Sequence, residues 1–266
     1  MKGMRFLATL SALSTLVLSK LALSANGCFD QNSWYPYIFE SQGKFVGILM
    51  QMTQDALNRS GIKTELSPLP WDRCLKENAA KGISDLVIGV SYKAERAEFL
   101  EYPPKTESES TACSSEFKMI CAAYVVVTSH DEKVEYAGNN KLIPTPVRAP
   151  QGYSITKDLE SEGIKVDVSK NDIVNLRKLL RDKTGSVVMI APQAELFAKE
   201  SEFKGKIKIH KKPMTSKSYY LAFSKKSSLK PEEKSKIWKN LQILAADSAY
   251  MEKIVKKATE VAPDGK

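Results

Sequence analysis

The chain has 266 residues, 42% of them hydrophobic and 27% charged. These proportions exclude a disordered or fibrous polypeptide and suffice for one large domain or two modest lobes. The formal charge of +9 raises an anionic partner, but the excess is concentrated from Lys204 to Lys239, where twelve lysines stand against Glu232 and Glu233. No arginine–aromatic interleaving accompanies them, so the stretch reads as a solvated face and no nucleic-acid partner is expected.

The chain opens with "MKGMR", a short positive segment, then "FLATLSALSTLVLS", an apolar one, then the small residues of "KLALSANG". This reads as a secretory signal peptide over residues 1–24, with Ala22 and Ser24 flanking a cut after Ser24. Lys20 interrupts the apolar run below membrane-spanning length. Removal of the leader takes away three basic residues and no acidic ones, leaving about +6. A lipoprotein site at Cys28 is disfavoured, because "ANGC" lacks a leucine-like residue. The expected location is the periplasm.

In chain order, "YIFE" and "KFVG" flank the turn-like "SQG", then Leu49, Met52, Ala56 and Leu57 recur at helical spacing up to a stop at Gly61. "IKTELSPLP" predicts a strand, "WDRCLKENAAKG" a helix after Pro70, and "DLVIGV" a fully buried, parallel strand. "PPKTESESTACSSEFKMIC" is a polar loop and "AAYVVVTS" a strand. "KLIPTPVRAPQGYSITKDLESEG" gives a strand, a turn and a helix. "IKVDVS", "DIVNLRKLLRDKTG", "SVVMIA" and "PQAELFAKE" then alternate strand and helix, "SYYLAFSK" is a further strand, and amphipathic helices follow Pro231. The alternation predicts two α/β lobes with parallel neighbours. The chain crosses between them near Ser114–Ala122 and returns near Pro213–Tyr219.

Four cysteines, Cys28, Cys74, Cys113 and Cys121, read as two disulfides in an exported chain. They permit three connectivities. The spacing of Cys113 and Cys121 suits a local staple, which leaves Cys28 with Cys74 by elimination. There is no CxxC, and His130 and His210 lie near none of the cysteines in sequence, so neither metal nor other cofactor is expected.

The segments "WYPYIFESQGKFVGILMQMTQDALNRSGIKTELSPLPWDRCL", "GISDLVIGVSYKAERAEFLEYP", "APQGYSITKDLESEGIKVDVSKNDIVNLRKLL" and "SYYLAFSK" together resemble the family 3 bacterial extracellular solute-binding proteins, the polar-amino-acid-type binding proteins of ABC importers. The resemblance runs over nearly the whole chain after the leader. It implies a type II periplasmic-binding-protein fold: two α/β lobes, a hinge of two crossing strands and a ligand cleft between. The lobes would comprise residues 25–118 with 217–266, and 119–216. It implies a monomer that closes on one amino-acid-like or other carboxylate ligand and serves an inner-membrane ABC permease.

The same resemblance assigns Gly89 a ligand-facing amide, Ser91 a hydroxyl contact and Arg96 the ligand carboxylate. A guanidinium is a planar fork matched to a carboxylate. The competing reading of Arg96 is a surface charge paired with Glu95 or Glu98. Tyr35 and Trp71 are candidate aromatic contacts, Arg73 a second anion contact, and Gln151, Gly152 and Tyr153 a small-residue turn at a helix start, with helix capping by Ser154 as the alternative. One departure stands out. Family members that bind amino acids carry an acid after the last buried strand of the second lobe, and Ala191 occupies that place here. A standard α-amino acid is therefore in question unless Asp72, Asp172 or Glu195 supplies the charge. Two other function classes remain open: a cleft enzyme of dehydratase type, for which no Ser–His–Asp or Cys–His order is present, and a ligand sensor without transport.

Overall fold

Residues 23–109, 113–261 and 263 are described in a computed structural model. Residues 1–22, most of the expected leader, lie outside them. The first half contains β1 (Leu23–Asp30), the hairpin β2 (Phe39–Ser41) and β3 (Lys44–Val46), α1 (Ile48–Ser60), β4 (Ile62–Leu69), a π-helical segment (Arg73–Ala79), β5 (Leu86–Val90), α2 (Ala94–Ala97), β6 (Leu100–Glu101) and α3 (Thr106–Glu109). After it come β7 (Ile120–Ser129), a 3-10 turn (Asn140–Leu142), β8 (Val147–Pro150), α4 (Ser154–Ser161), β9 (Val166–Ser169), α5 (Asp172–Asp182), β10 (Ser186–Ile190), α6 (Ala191–Phe197), β11 (Ile207–Ile209), β12 (Thr215–Ser224), α7 (Pro231–Ala246) and α8 (Ser248–Thr259).

In the first lobe β1 lies between β4 and β5, both parallel to it. All of β5 is buried, as its unbroken apolar run requires. Leu49, Met52, Ala56 and Leu57 of α1 pack in one cluster with Phe29 and Ile88; each such large side chain contributes roughly 1.5–3 kcal/mol on burial. In the second lobe β10 pairs parallel with β8, which pairs parallel with β9, while β7 runs antiparallel to β10. A separate cluster of Leu176, Leu179, Val187, Phe197 and Phe203 packs behind that sheet.

One strand belongs to both sheets. The first half of β12, Thr215–Tyr219, pairs with Tyr124–Ile120 of β7. Its second half pairs with β5, with a register shift between Tyr220 and Leu221. The two crossing strands expected from the sequence are thus β7 and β12, and the fold is two-lobed mixed α/β. After β12, α7 and α8 pack on the first lobe: Trp238 Nε1 donates to the Leu221 carbonyl (2.9 Å), Asn240 Nδ2 to Ser60 Oγ (2.9 Å) and Tyr250 Oη to Asp55 Oδ2 (2.7 Å).

Three expectations are corrected. Strand β1 was absent from the sequence reading; it begins at Leu23, inside the last two residues of the expected leader. The helix after Pro70 is π-helical, with Ala80 N–H bonded to the Leu75 carbonyl. The polar loop before β7 contains the short α3. The cysteines pair as Cys28–Cys74 and Cys113–Cys121. The first of these ties β1 to the π-helical segment. Among the described residues no helix is long and apolar enough to cross a membrane.

Candidate functional site

Arg96 is 4% exposed and folded back over the carboxyl end of β5. Its Nη1 donates to the carbonyl and the Oγ of Ser91, both at 3.0 Å, and its Nη2 donates to the carbonyl of Gly152 at 3.0 Å. The guanidinium lies 5.5 Å from the centre of the Trp71 ring. Arg96 is therefore buried against backbone carbonyls, Ser91 and an aromatic ring, and not held as a solvated charge.

Asp30, Asn32, Trp34, Ile38, Trp71, Gly89, Ser91, Arg96, Tyr124, Tyr153 and Tyr219 line a cavity of about 40 Å³ between the lobes. A water needs roughly 10–15 Å³ by the same measure, so the space holds only a few. The lobes are closed around it. Ser91 Oγ donates to Ser154 Oγ (2.8 Å), Tyr153 Oη to Asp30 Oδ2 (2.5 Å), Tyr35 N–H to Gln193 Oε1 (2.6 Å) and Asn32 Nδ2 to the Lys170 carbonyl (3.2 Å). Beside the cavity Asp158 of α4 pairs with both Lys93 and Lys217.

Two glycines are fixed by backbone conformation and close approach. Gly89 has φ +71° inside β5, and a Cβ there would lie 3.1 Å from the Trp34 ring. Gly152 has φ +77°, and a Cβ would lie 2.7 Å from Asp72 Oδ1. Both positions favour a residue without a side chain, which lets Trp34 reach the cavity floor and lets the turn before α4 present its carbonyl to Arg96.

The titratable groups are displaced from their ordinary ranges. Burial pushes the Asp30 carboxyl up to about 6, against hydrogen bonds from Tyr153 and Asn32 that hold it down. Burial, with the charge of Asp30, pushes Asp172 up to about 7. Asp172 Oδ1 is shut off from solvent and has no hydrogen-bond partner. Burial, then the neighbouring Lys93 and Arg96, push the Lys217 amine down to about 7, and contact with Asp158 opposes that depression. Burial carries the Tyr153 and Tyr124 hydroxyls well above their usual range.

Of the sequence-derived candidates, Gly89, Ser91, Arg96, Trp71 and Tyr153 meet at the cavity, and Gly152 reaches it through its carbonyl. Three do not. The Tyr35 ring packs on Phe39 and its hydroxyl faces the carbonyl of Thr259, so the neighbouring Trp34 takes the aromatic place. Arg73 is exposed and paired with Glu77. Gln151 is exposed, its N–H bound to Ser169 within the second lobe. The sequence reading also missed Asp30, Tyr124 and Tyr219, and set Tyr35 ahead of its neighbour Trp34. Asp30 had a signal: it ends a parallel strand beside β5, where α/β folds collect ligands. Seeing it required seeing β1.

No family model and no curated protein matches the chain. Solved structures match its fold. A histidine kinase sensor domain with similarity to periplasmic binding proteins has a TM-score of 0.72 at 16% identity, covering 91% of this chain and 98% of the other. The arginine-, lysine-, histidine-binding protein ArtJ of Geobacillus stearothermophilus has 0.69 at 19%, covering 91% and 97%. The amino acid ABC transporter substrate-binding protein AbpA of Streptococcus pneumoniae, bound to L-arginine, has 0.67 at 19%, covering 89% and 94%. The chain has the two-lobed fold of these binding proteins.

Proposed function

We propose that this protein is an exported, monomeric solute-binding protein. It closes two lobes over one small polar ligand in the periplasm, without turnover, and delivers it to an inner-membrane ABC permease. The observation that carries this reading is Arg96, a buried cation at the carboxyl end of β5, in the wall of a cavity that both lobes close. A guanidinium has five N–H donors in a rigid fork. When the lobes part, the Gly152 carbonyl leaves, and a ligand carboxylate can take its place with a charge-assisted pair. Closure and opening run about β7 and β12, the two strands that join the lobes.

The test is a thermal-shift screen of the oxidised protein against amino acids, opines, polyamines, dicarboxylates and short peptides. A ligand at a hundred times its dissociation constant stabilises the folded state by about 2.7 kcal/mol. A hit that loses at least tenfold in affinity in Arg96→Ala supports the carboxylate reading; an unchanged affinity removes it. A second reading, a ligand sensor without transport, is favoured by the likeness to the kinase sensor domain. Deleting the gene separates the two: loss of uptake supports transport, and intact uptake of a ligand that the protein binds supports sensing.

A further inference from the structure

The two disulfides sit in opposite surroundings. Cys28 and Cys74 are fully buried, in one cluster with Trp71, Leu75 and Val87. Cys121 is exposed and Cys113 is half-buried. Thiol–disulfide exchange proceeds by attack of an outside thiolate on one sulfur of the pair, so access decides which disulfide opens in the folded protein. The backbone separates the two as well. Cys113 has φ +53°, in the left-handed region that a residue with a side chain occupies at a cost. The cross-link ties Cys113 to β7 in that conformation, and opening it lets the backbone relax.

The exposed pair lies on the hinge. Cys121 is the second residue of β7, and its partner in the ladder is Ser218 of β12. Within the loop that the cross-link closes, Met119 N–H donates to the Tyr219 carbonyl (2.8 Å). The cross-link therefore holds the segment at which the β7–β12 ladder starts. Successive side chains on a strand point to opposite faces. Cys121 and Ser218 share one face of the ladder, and Tyr124 and Tyr219 share the other, where they line the cavity. Ser218 Oγ is shut off from solvent and has no hydrogen-bond partner. Side chains directly opposite on an antiparallel pair are neighbours, so this hydroxyl is placed to donate to a thiolate on Cys121.

We propose that Cys113–Cys121 is a site of thiol–disulfide exchange, opened by a dithiol reductant, and that its state sets how freely the two crossing strands move. One thiolate of the dithiol attacks Cys121 Sγ. The S–S bond breaks, and its electron pair leaves on Cys113 Sγ, which takes up a proton. The second sulfur of the dithiol, as thiolate, attacks the first within the mixed disulfide and expels Cys121 Sγ. Ser218 donates to that thiolate until it too is protonated. Two electrons and two protons pass to the protein, and the dithiol becomes a disulfide. Cys28–Cys74 keeps the first lobe cross-linked throughout.

The test uses the oxidised protein under native conditions, with dithiothreitol as the probe dithiol. Samples are quenched by alkylation and mapped by peptide mass spectrometry, and hydrogen exchange is followed at the amides of residues 119–122 and 215–219. Cys113–Cys121 should open at least tenfold faster than Cys28–Cys74 while the far-ultraviolet circular dichroism holds. The crossing amides of the opened protein should then exchange at least tenfold faster than before. Opening of both disulfides together, at the rate of global unfolding, overturns the proposal. Selective opening that leaves exchange at the crossing unchanged overturns it as well. Ser218→Ala should slow the opening severalfold, and an unchanged rate removes the hydroxyl from the step. No ligand enters these measurements, so their failure and the failure of the binding-protein reading are told apart.

Discussion

The surroundings of Arg96 and those of Asp30 and Asp172 are built on opposite principles. Around Arg96 the charge is satisfied by two carbonyls and a hydroxyl, one of the carbonyls reaching across from the second lobe. Around Asp30 and Asp172 like charges approach each other, both carboxyls are pushed up by burial, and one oxygen has no partner. The difference teaches that the closed molecule satisfies its buried arginine and leaves one buried carboxyl oxygen, Asp172 Oδ1, unsatisfied. Side-chain changes in the two regions should therefore move the stability of the protein in opposite directions.

The largest effect is expected on the arginine side. Arg96→Ala removes three buried hydrogen bonds and strands the Gly152 carbonyl, so chemical denaturation should show a loss of about 2–4 kcal/mol. A stability equal to that of the parent protein would break the comparison. Asp158→Asn comes next. It releases Lys93 and Lys217, which bridge the lobes beside the cavity while 24% and 12% exposed. A loss of about 1–3 kcal/mol is expected, with a larger radius of gyration by small-angle scattering as the lobes part.

The acidic side gives the opposite sign. A carboxyl raised from 3.8 to about 7 binds its proton more tightly in the folded chain than in the unfolded one. Its contribution to stability is complete below about 3.8 and is lost as pH rises through 7. Asp172→Asn should therefore leave stability near pH 4 almost unchanged and raise it at pH 8 by about 1–2 kcal/mol. A parallel fall in both proteins from pH 5 to 8 would show that Asp172 is not the group responsible. The smallest effect belongs to Ser154→Ala, which removes the acceptor for Ser91 and a 3.2 Å contact to Lys217. About 1 kcal/mol is expected.

Local order carried much of this architecture into the sequence. The apolar run of β5, the helical spacing of α1 and the strand–helix alternation after Val147 are short-range patterns, and each forms where expected. Gly89, Ser91 and Arg96 were legible through the family resemblance, which local sequence alone did not supply, and Trp71 because it opens the helical segment after a proline. What stayed hidden depends on long-range placement. In "LSANGCFD" neither alternation nor an apolar run marks β1, yet β4 and β5 enclose it. With it went Asp30. Choosing between Trp34 and Tyr35 needed the fold of the turn, where Gly89 leaves room for one ring and not the other. Asp172 entered only as one of three acids, since its missing partner is a property of packing.

Strand β12 deserves a last consequence, because it gives the two lobes a common alternation of faces. Side chains on a strand point alternately to its two sides, so a one-residue slip exchanges them all. The shift between Tyr220 and Leu221 is where the phase of the half facing β7 is set against that of the half facing β5. Inserting or deleting one residue there would leave each half free to keep its own pairing, yet would turn one lobe's set of faces over relative to the other. Tyr219, on the cavity wall, would be the nearest residue to register the change. The length of this segment is thus a dimension of the interlobe cavity, although Tyr219 alone of its side chains lines it.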